Sequence, residues 1–121
     1  MSKRILAVDD QEDNRRILRD LLTSAGFEVI EAVTGEEAVT VAESQPPDLI
    51  LMDIQLPGID GYEATRRIKA IEKLRRVPLI VVTSYALSGD DVKAMAAGAD
   101  AYVSKPFSPR ALLAKVREYL K

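Results

Sequence analysis

Three short runs of this chain are apolar at almost every position: "RILAV" (4–8), "LILM" (49–52) and "LIVVT" (79–83). A strand with one wet face alternates polar and apolar side chains, so a strand without alternation must be covered on both faces. That requirement points to a parallel sheet between helical layers. Two further runs differ. "EVIEA" (28–32) alternates, and "AYVS" (101–104) is short and mixed, as suits strands at the edges of a sheet.

The segments between the runs carry helical spacing with legible ends. Leu18, Leu21, Leu22 and Ala25 share one face, and Gly26 can close that helix in a left-handed cap. Thr34 with Glu37 makes a capping box ahead of Ala38, Val41 and Ala42. Ala64, Ile68 and Ile71 line one side of a segment after Gly61, and Ser88 or Asp90 opens another that runs through Met95 and Ala96. Ser108-Pro109 reads as an N-cap with proline at the first helical position, ahead of Leu112, Leu113, Val116 and Leu120. Five β-then-α units in 121 residues predict one doubly wound α/β domain over 1–121. Right-handed crossovers and amphipathic second and fifth strands favour a five-stranded parallel sheet of order 2-1-3-4-5 with five helices. The last residues of the sequence are those of the fifth helix, so no output domain is expected.

Composition narrows the chemistry. The chain has neither cysteine nor histidine. Thiol and imidazole nucleophiles, disulfides, and thiolate and imidazole metal ligands are excluded together. A formal net charge of −2, with 5% aromatic residues, argues against nucleic acid as the main partner. No apolar run approaches the roughly 20 residues of a membrane helix, and the N-terminus turns acidic where a signal peptide stays apolar. The expectation is a cytoplasmic domain with no membrane partner, whose chemistry rests on Asp, Glu, Lys, Ser and Thr.

In open α/β sheets ligands bind beyond the carboxyl ends of the strands, where strand order reverses. Here strand 1 ends in Asp9-Asp10, strand 3 in Asp53, strand 4 in Thr83, and strand 5 runs into Ser104-Lys105-Pro106. Taken singly, Asp9 and Asp10 read as helix caps, Asp53 as a loop residue, Thr83 as strand filler and Lys105 as a solvated charge. Their joint occurrence at successive strand ends carries the inference. Three converging carboxylates repel unless a cation neutralises them, and oxygen ligands alone select a hard one such as Mg²⁺. A strand-end aspartate is also a nucleophile toward phosphorus, and Thr83 and Lys105 stand where donors to phosphoryl oxygens are needed.

These residues resemble the receiver domain of two-component response regulators over essentially the whole chain. The family pattern is an acidic pair after strand 1, a phosphoacceptor Asp before a Pro-Gly-like turn, Thr or Ser after strand 4, and Lys-Pro after strand 5. It is matched by "VDD" (8–10), "LMDIQLPGIDG" (51–61), "VVTS" (81–84) and "YVSKPFS" (102–108). The resemblance implies a flavodoxin-like fold of the stand-alone type. It implies that Asp53 accepts a phosphoryl group from a sensor histidine kinase or histidine phosphotransfer protein, and that a downstream protein reads the result. In the implied site Asp10, Asp53 and the backbone carbonyl of Gln55 hold Mg²⁺, with Asp9 acting mainly through ordered water. Thr83 and Lys105 contact the phosphoryl oxygens, Tyr102 is the aromatic switch residue, and the Lys105–Pro106 bond is cis. Gln55 and Tyr85 flank the site, and Ser84 stands where many family members carry Ala. The domain acts on itself and is not expected to be an enzyme in the usual sense; it is expected to be a monomer or weak homodimer.

Two other classes share parts of the pattern. A Mg²⁺-dependent phosphohydrolase with an Asp nucleophile usually carries a second acid two residues on, where this chain has Gln55. A flavodoxin-like cofactor binder needs a Ser/Thr-rich phosphate loop after strand 1, where "DDQEDN" repels phosphate. The first helix, finally, carries Arg15, Arg16 and Arg19 off its core stripe, and these are expected to form an edge on which a phosphodonor docks.

Overall fold

The computed structural model describes residues 2–83 and 90–120. The sequence expectations for Ser84, Tyr85 and Ser88 lie outside the described residues. Five strands, β1 (Arg4–Val8), β2 (Glu28–Ala32), β3 (Leu49–Asp53), β4 (Leu79–Thr83) and β5 (Ala101–Ser104), form one parallel sheet of order β2-β1-β3-β4-β5. Helices α1 (Glu12–Ser24), α2 (Gly35–Ser44), α3 (Gly61–Ala70), α4 (Asp90–Ala96) and α5 (Pro109–Tyr119) connect and cover it, with a short 3-10 turn at Glu72–Leu74.

The apolar runs behave as double coverage demands. Along β1, β3 and β4, alternate side chains enter two separate cores. Leu6, Val8, Ile50, Met52 and Val81 meet Ala38 and Ala42 of α2, Ala64 and Ile68 of α3, and Ala94 of α4. Ile5, Ala7, Leu49, Leu51, Ile80 and Val82 meet Leu18 and Leu22 of α1 and Leu112 and Val116 of α5. Three helices therefore cover one face and two the other. The face with three helices meets the sheet largely through alanines, which let helix backbones approach closely.

The helix ends follow local chemistry, with small departures from the sequence reading. Gly26 adopts φ +95 after α1, a conformation that side chains with a Cβ resist. Thr34 accepts from the Glu37 N–H, but Glu37 reaches back to the Val33 N–H and not to Thr34's own. Asp60 caps α3 by accepting from Glu63 N–H, and Ile71, expected on the α3 stripe, falls just beyond the helix end. Ser108 accepts from Ala111 N–H and Pro109 begins α5, as read. β3 is one residue longer than its apolar run because Asp53 still pairs with β4. That extra residue places the carboxylate on the rigid sheet and not on a loop.

Candidate functional site

Register assembles the rim. Val8 of β1 is level with Met52 of β3, so Asp9 follows level with Asp53; Asp53 pairs with Val82, which sets Thr83 one residue beyond. Thr83 in turn pairs with Ser104, just ahead of Lys105, whose N–H donates to the Thr83 carbonyl at 2.6 Å. Four of the expected side chains thus arise from the ends of four adjacent strands. Asp10 follows on the β1–α1 turn, and Gln55 on the turn after β3.

One carboxylate oxygen from each of Asp9, Asp10 and Asp53 lies within 4.8 Å of the others. Asp9 and Asp53 are 2% and 7% exposed, so their charges are not screened by bulk water, whereas Asp10 faces solvent. The Lys105 ammonium sits between the buried pair, 3.1 Å from Asp9 Oδ2 and 3.7 Å from Asp53 Oδ2. Asp9 Oδ1 also accepts the Gln11 N–H at 2.9 Å, and Asp53 Oδ1 accepts the Ile54 N–H at 2.8 Å. Burial pushes the Asp53 carboxyl above the ordinary carboxylate range; Lys105 opposes that push and the Asp9 charge adds to it. One ammonium against three carboxylates leaves the site under-neutralised. A donor set of hard oxygens with surplus negative charge fits a divalent cation such as Mg²⁺.

The turn after β3 is held from below. Gly61 N–H donates to the Ile54 carbonyl at 2.9 Å, and a Cβ on Gly61 would stand 2.1 Å from the Asp53 carbonyl oxygen. No side chain fits there, so α3 starts directly against the backbone of the candidate nucleophile. The Lys105–Pro106 peptide is cis, as the resemblance implies.

Two hollows open on this rim. A polar cleft of about 430 Å³ is lined by Asp10, Gln11, Asn14, Asp53, Gln55 and Lys105. An apolar groove of about 560 Å³ runs beside it between α1 and the start of α5, lined chiefly by Ile17, Leu18, Pro106, Phe107 and Pro109. Asn14 and Lys105 border both. Thr83 is buried beside the β5 end, and Tyr102 is half-buried against the core on the α2–α3–α4 face.

Sequence reasoning missed Gln11 and Asn14 as lining residues. The signal was available: Asn14 lies one helical turn after Asp10, and side chains at the start of a helix lean back toward its N-terminus. The expectation for α1 needs correction. Arg15 is only 12% exposed at its side chain and Arg19 is half-buried, and both are clamped to Glu12 and Glu31. Glu31 reaches them because β2 alternates and turns that side chain toward α1. Of the three arginines Arg16 stays exposed, with a 3.5 Å contact to Asp13. Among the described residues no helix is long and apolar enough to cross a membrane.

Comparison with known proteins bears on all of this. The response regulator receiver domain model matches residues 5–117. The polar-differentiation response regulator DivK of Brucella ovis is 42% identical over 120 residues, which cover 99% of this chain and 98% of that protein. A crystal structure of the receiver domain of the sensor histidine kinase PA1611 from Pseudomonas aeruginosa, with magnesium coordinated in its active-site cleft, superposes with a TM-score of 0.92 at 40% identity, covering 99% and 98% of the two chains. The chemotaxis protein CheY4 of Vibrio cholerae gives a TM-score of 0.94 at 28% identity, covering 99% of this chain and all of that one.

Proposed function

This chain belongs to the response regulator receiver family, and from that premise we propose that Asp53 is the residue that accepts the phosphoryl group. The family receives signals as phosphoryl groups; which atoms of this chain do so follows from the site. The observation that carries the proposal is the placement of Asp53. It is the last residue of a central strand, it is buried, and it faces two further carboxylates and a lysine.

A carboxylate oxygen of Asp53 attacks the phosphorus of a phosphohistidine in line, the P–N bond breaks, and an aspartyl phosphate forms. Negative charge on the transferring group is met by the Lys105 ammonium and the Thr83 hydroxyl, each at a neighbouring strand end. To serve, Lys105 exchanges its present carboxylate partners for phosphoryl oxygens. Asp10, Asp53 and the backbone carbonyl of Gln55 are the groups that would hold Mg²⁺, with Asp9 behind them. When bound, the metal neutralises the carboxylates and the phosphoryl oxygens together. A rigid sheet fixes the nucleophile, so positioning costs little when the donor arrives. The domain thereby catalyses its own phosphorylation and dephosphorylation and turns over no separate substrate.

The donor is a histidine kinase or a histidine phosphotransfer protein, and the apolar groove beside the cleft is where it docks. Ile17 is 53% exposed although apolar, and with Phe107, Pro106 and Pro109 it forms a contact surface contiguous with the rim. The output runs the other way. Thr83 moves toward the phosphoryl group, Tyr102 rotates into the space released, and the face of α4, β5 and α5 changes for a downstream protein. Val92 and Met95 are exposed apolar side chains on α4.

Intact-mass measurement with a small acyl phosphate and Mg²⁺ tests the core of this. One phosphoryl group should add, removal of Mg²⁺ should prevent it, and Asp53→Asn should show none. Full labelling of that variant at another residue would overturn the assignment.

A further inference from the structure

The β1–α1 turn that carries the acidic pair is gripped by a side chain that is not among those lining the cleft. The Arg15 guanidinium donates from Nη1 to the backbone carbonyl of Asp9 at 2.8 Å. Its Nε donates to Glu31 Oε1 at 3.1 Å, and its Nη2 to Glu12 Oε2 at 2.5 Å. Arg19 holds the same two glutamates, at 2.9 Å to Glu31 Oε2 and 3.0 Å to Glu12 Oε1, and among the described residues its hydrogen bonds go to those glutamates and not to the turn.

The carbonyl that Arg15 holds belongs to the peptide joining Asp9 to Asp10. Asp9 is fixed independently: its N–H donates to the Ala32 carbonyl at 3.2 Å, and its carboxylate is occupied by Gln11 and Lys105. Asp10 is exposed, and its orientation depends on the plane of the peptide before it. A planar guanidinium presents its donors from three nitrogens in a fixed fork, so the carbonyl and the two carboxylates it holds also fix its plane; a lysine ammonium is a single rotatable point and fixes no such plane. We propose that Arg15 is a positioning residue for the metal site, acting through the Asp9 carbonyl to aim the Asp10 carboxylate, with Glu31 of β2 and Glu12 bracing the guanidinium. This rests on the reading of Asp10 as a Mg²⁺ ligand.

Charge and position predict opposite signs, which makes the proposal testable. Removing a cation near a divalent-metal site strengthens metal binding by electrostatics alone. Removing a group that orients a ligand weakens it, by about tenfold or more. Mg²⁺ titrations followed by amide NMR shifts, on the full chain, compare wild type, Arg15→Ala and Arg19→Ala, with thermal melting of the metal-free proteins alongside. Arg15→Ala should bind Mg²⁺ about tenfold more weakly. Arg19→Ala, which loses the same charge and the same glutamates, should bind as wild type or slightly tighter. Arg15→Lys keeps the charge and the stem and provides the second reading if the alanine variant folds poorly; it too should bind weakly. Wild-type affinity in both Arg15 variants would overturn the proposal, as would equal weakening by Arg15→Ala and Arg19→Ala. Failure of the wild type itself to bind Mg²⁺ would instead remove the metal-site reading on which this rests.

Discussion

The two hollows on the rim share Asn14 and Lys105 as borders and differ in almost everything else. The cleft is walled by carboxylates, amides and one ammonium; the groove is walled by Ile17, Leu18, Phe107 and two prolines. The cleft has strong fields over short distances and very little apolar area. The groove is mostly apolar area, with Asp9 and Lys105 as its charged lining. Chemistry on a small charged group needs only the first, whereas holding a protein against the rim needs the second. The division separates what every phosphodonor requires from what only a protein donor requires.

The hardest blow to that division falls on the cleft. Asp10→Asn removes one charge of the proposed metal site, and phosphorylation should drop by about a hundredfold, the size expected when the cation that meets the developing phosphoryl charge is held less well. Rates with a small acyl phosphate and with a protein donor should fall together. A loss confined to the protein donor would move Asp10 from the chemistry to the docking surface.

Thr83→Ala sharpens the cleft side by separating labelling from response. A hydrogen bond to a charged acceptor is worth roughly 1.5–3 kcal/mol, or one to two powers of ten in a two-state equilibrium. Labelling of Asp53 should persist, while beryllofluoride-induced NMR shifts around Tyr102 and α4 should be largely lost. A full set of shifts in this variant would show that Thr83 does not couple site to surface.

Ile17→Asp tests the groove. Its side chain is exposed, so the fold should survive, and transfer from a protein donor should slow about tenfold, as when an apolar anchor is removed from an interface. Small-donor rates should not change. If both donors slow equally, the groove is part of the site and the comparison fails.

The smallest effect is on stability. The Asp53 carboxyl titrates above its unfolded value, chiefly through burial, so ionised Asp53 opposes folding in metal-free protein. That penalty is absent below the unfolded carboxylate range and complete above the raised folded one. Asp53→Asn should therefore raise the melting temperature of metal-free protein at pH 7, and the gain should shrink as pH falls toward 4. A gain that does not change with pH would mean that ionisation is not its source.

Strand order, both edges and the rim were legible because each rests on side-chain pattern at short range. An apolar run without alternation admits only a covered strand, and Asp9, Asp53, Thr83 and Lys105 stand at strand ends whatever the details of packing. The ion network on α1 was not legible. Arg15, Arg16 and Arg19 look alike in sequence, and their fates diverge only because Glu31, two strands' worth of chain away, faces α1 when β2 pairs with β1. Lys105 could be placed at the rim, but its present partners, Asp9 and Asp53, depend on register across four strands. Asn14 had a signal in its spacing from Asp10, but Gln11 opens α1 without any side-chain cap, so the helix start that gives that spacing its meaning carried no marker of its own.

The 2.6 Å hydrogen bond from the Lys105 N–H to the Thr83 carbonyl yokes the two residues proposed to contact the phosphoryl group through their main chains. A pull on either side chain is transmitted to the other's backbone before any side chain elsewhere has moved. The pair therefore works as one lever with two handles, and the energies of Thr83→Ala and Lys105→Met should not add in a double-mutant cycle. On the proposed reading, sensing by this rim is a single motion, in which whatever grips one handle also sets the other.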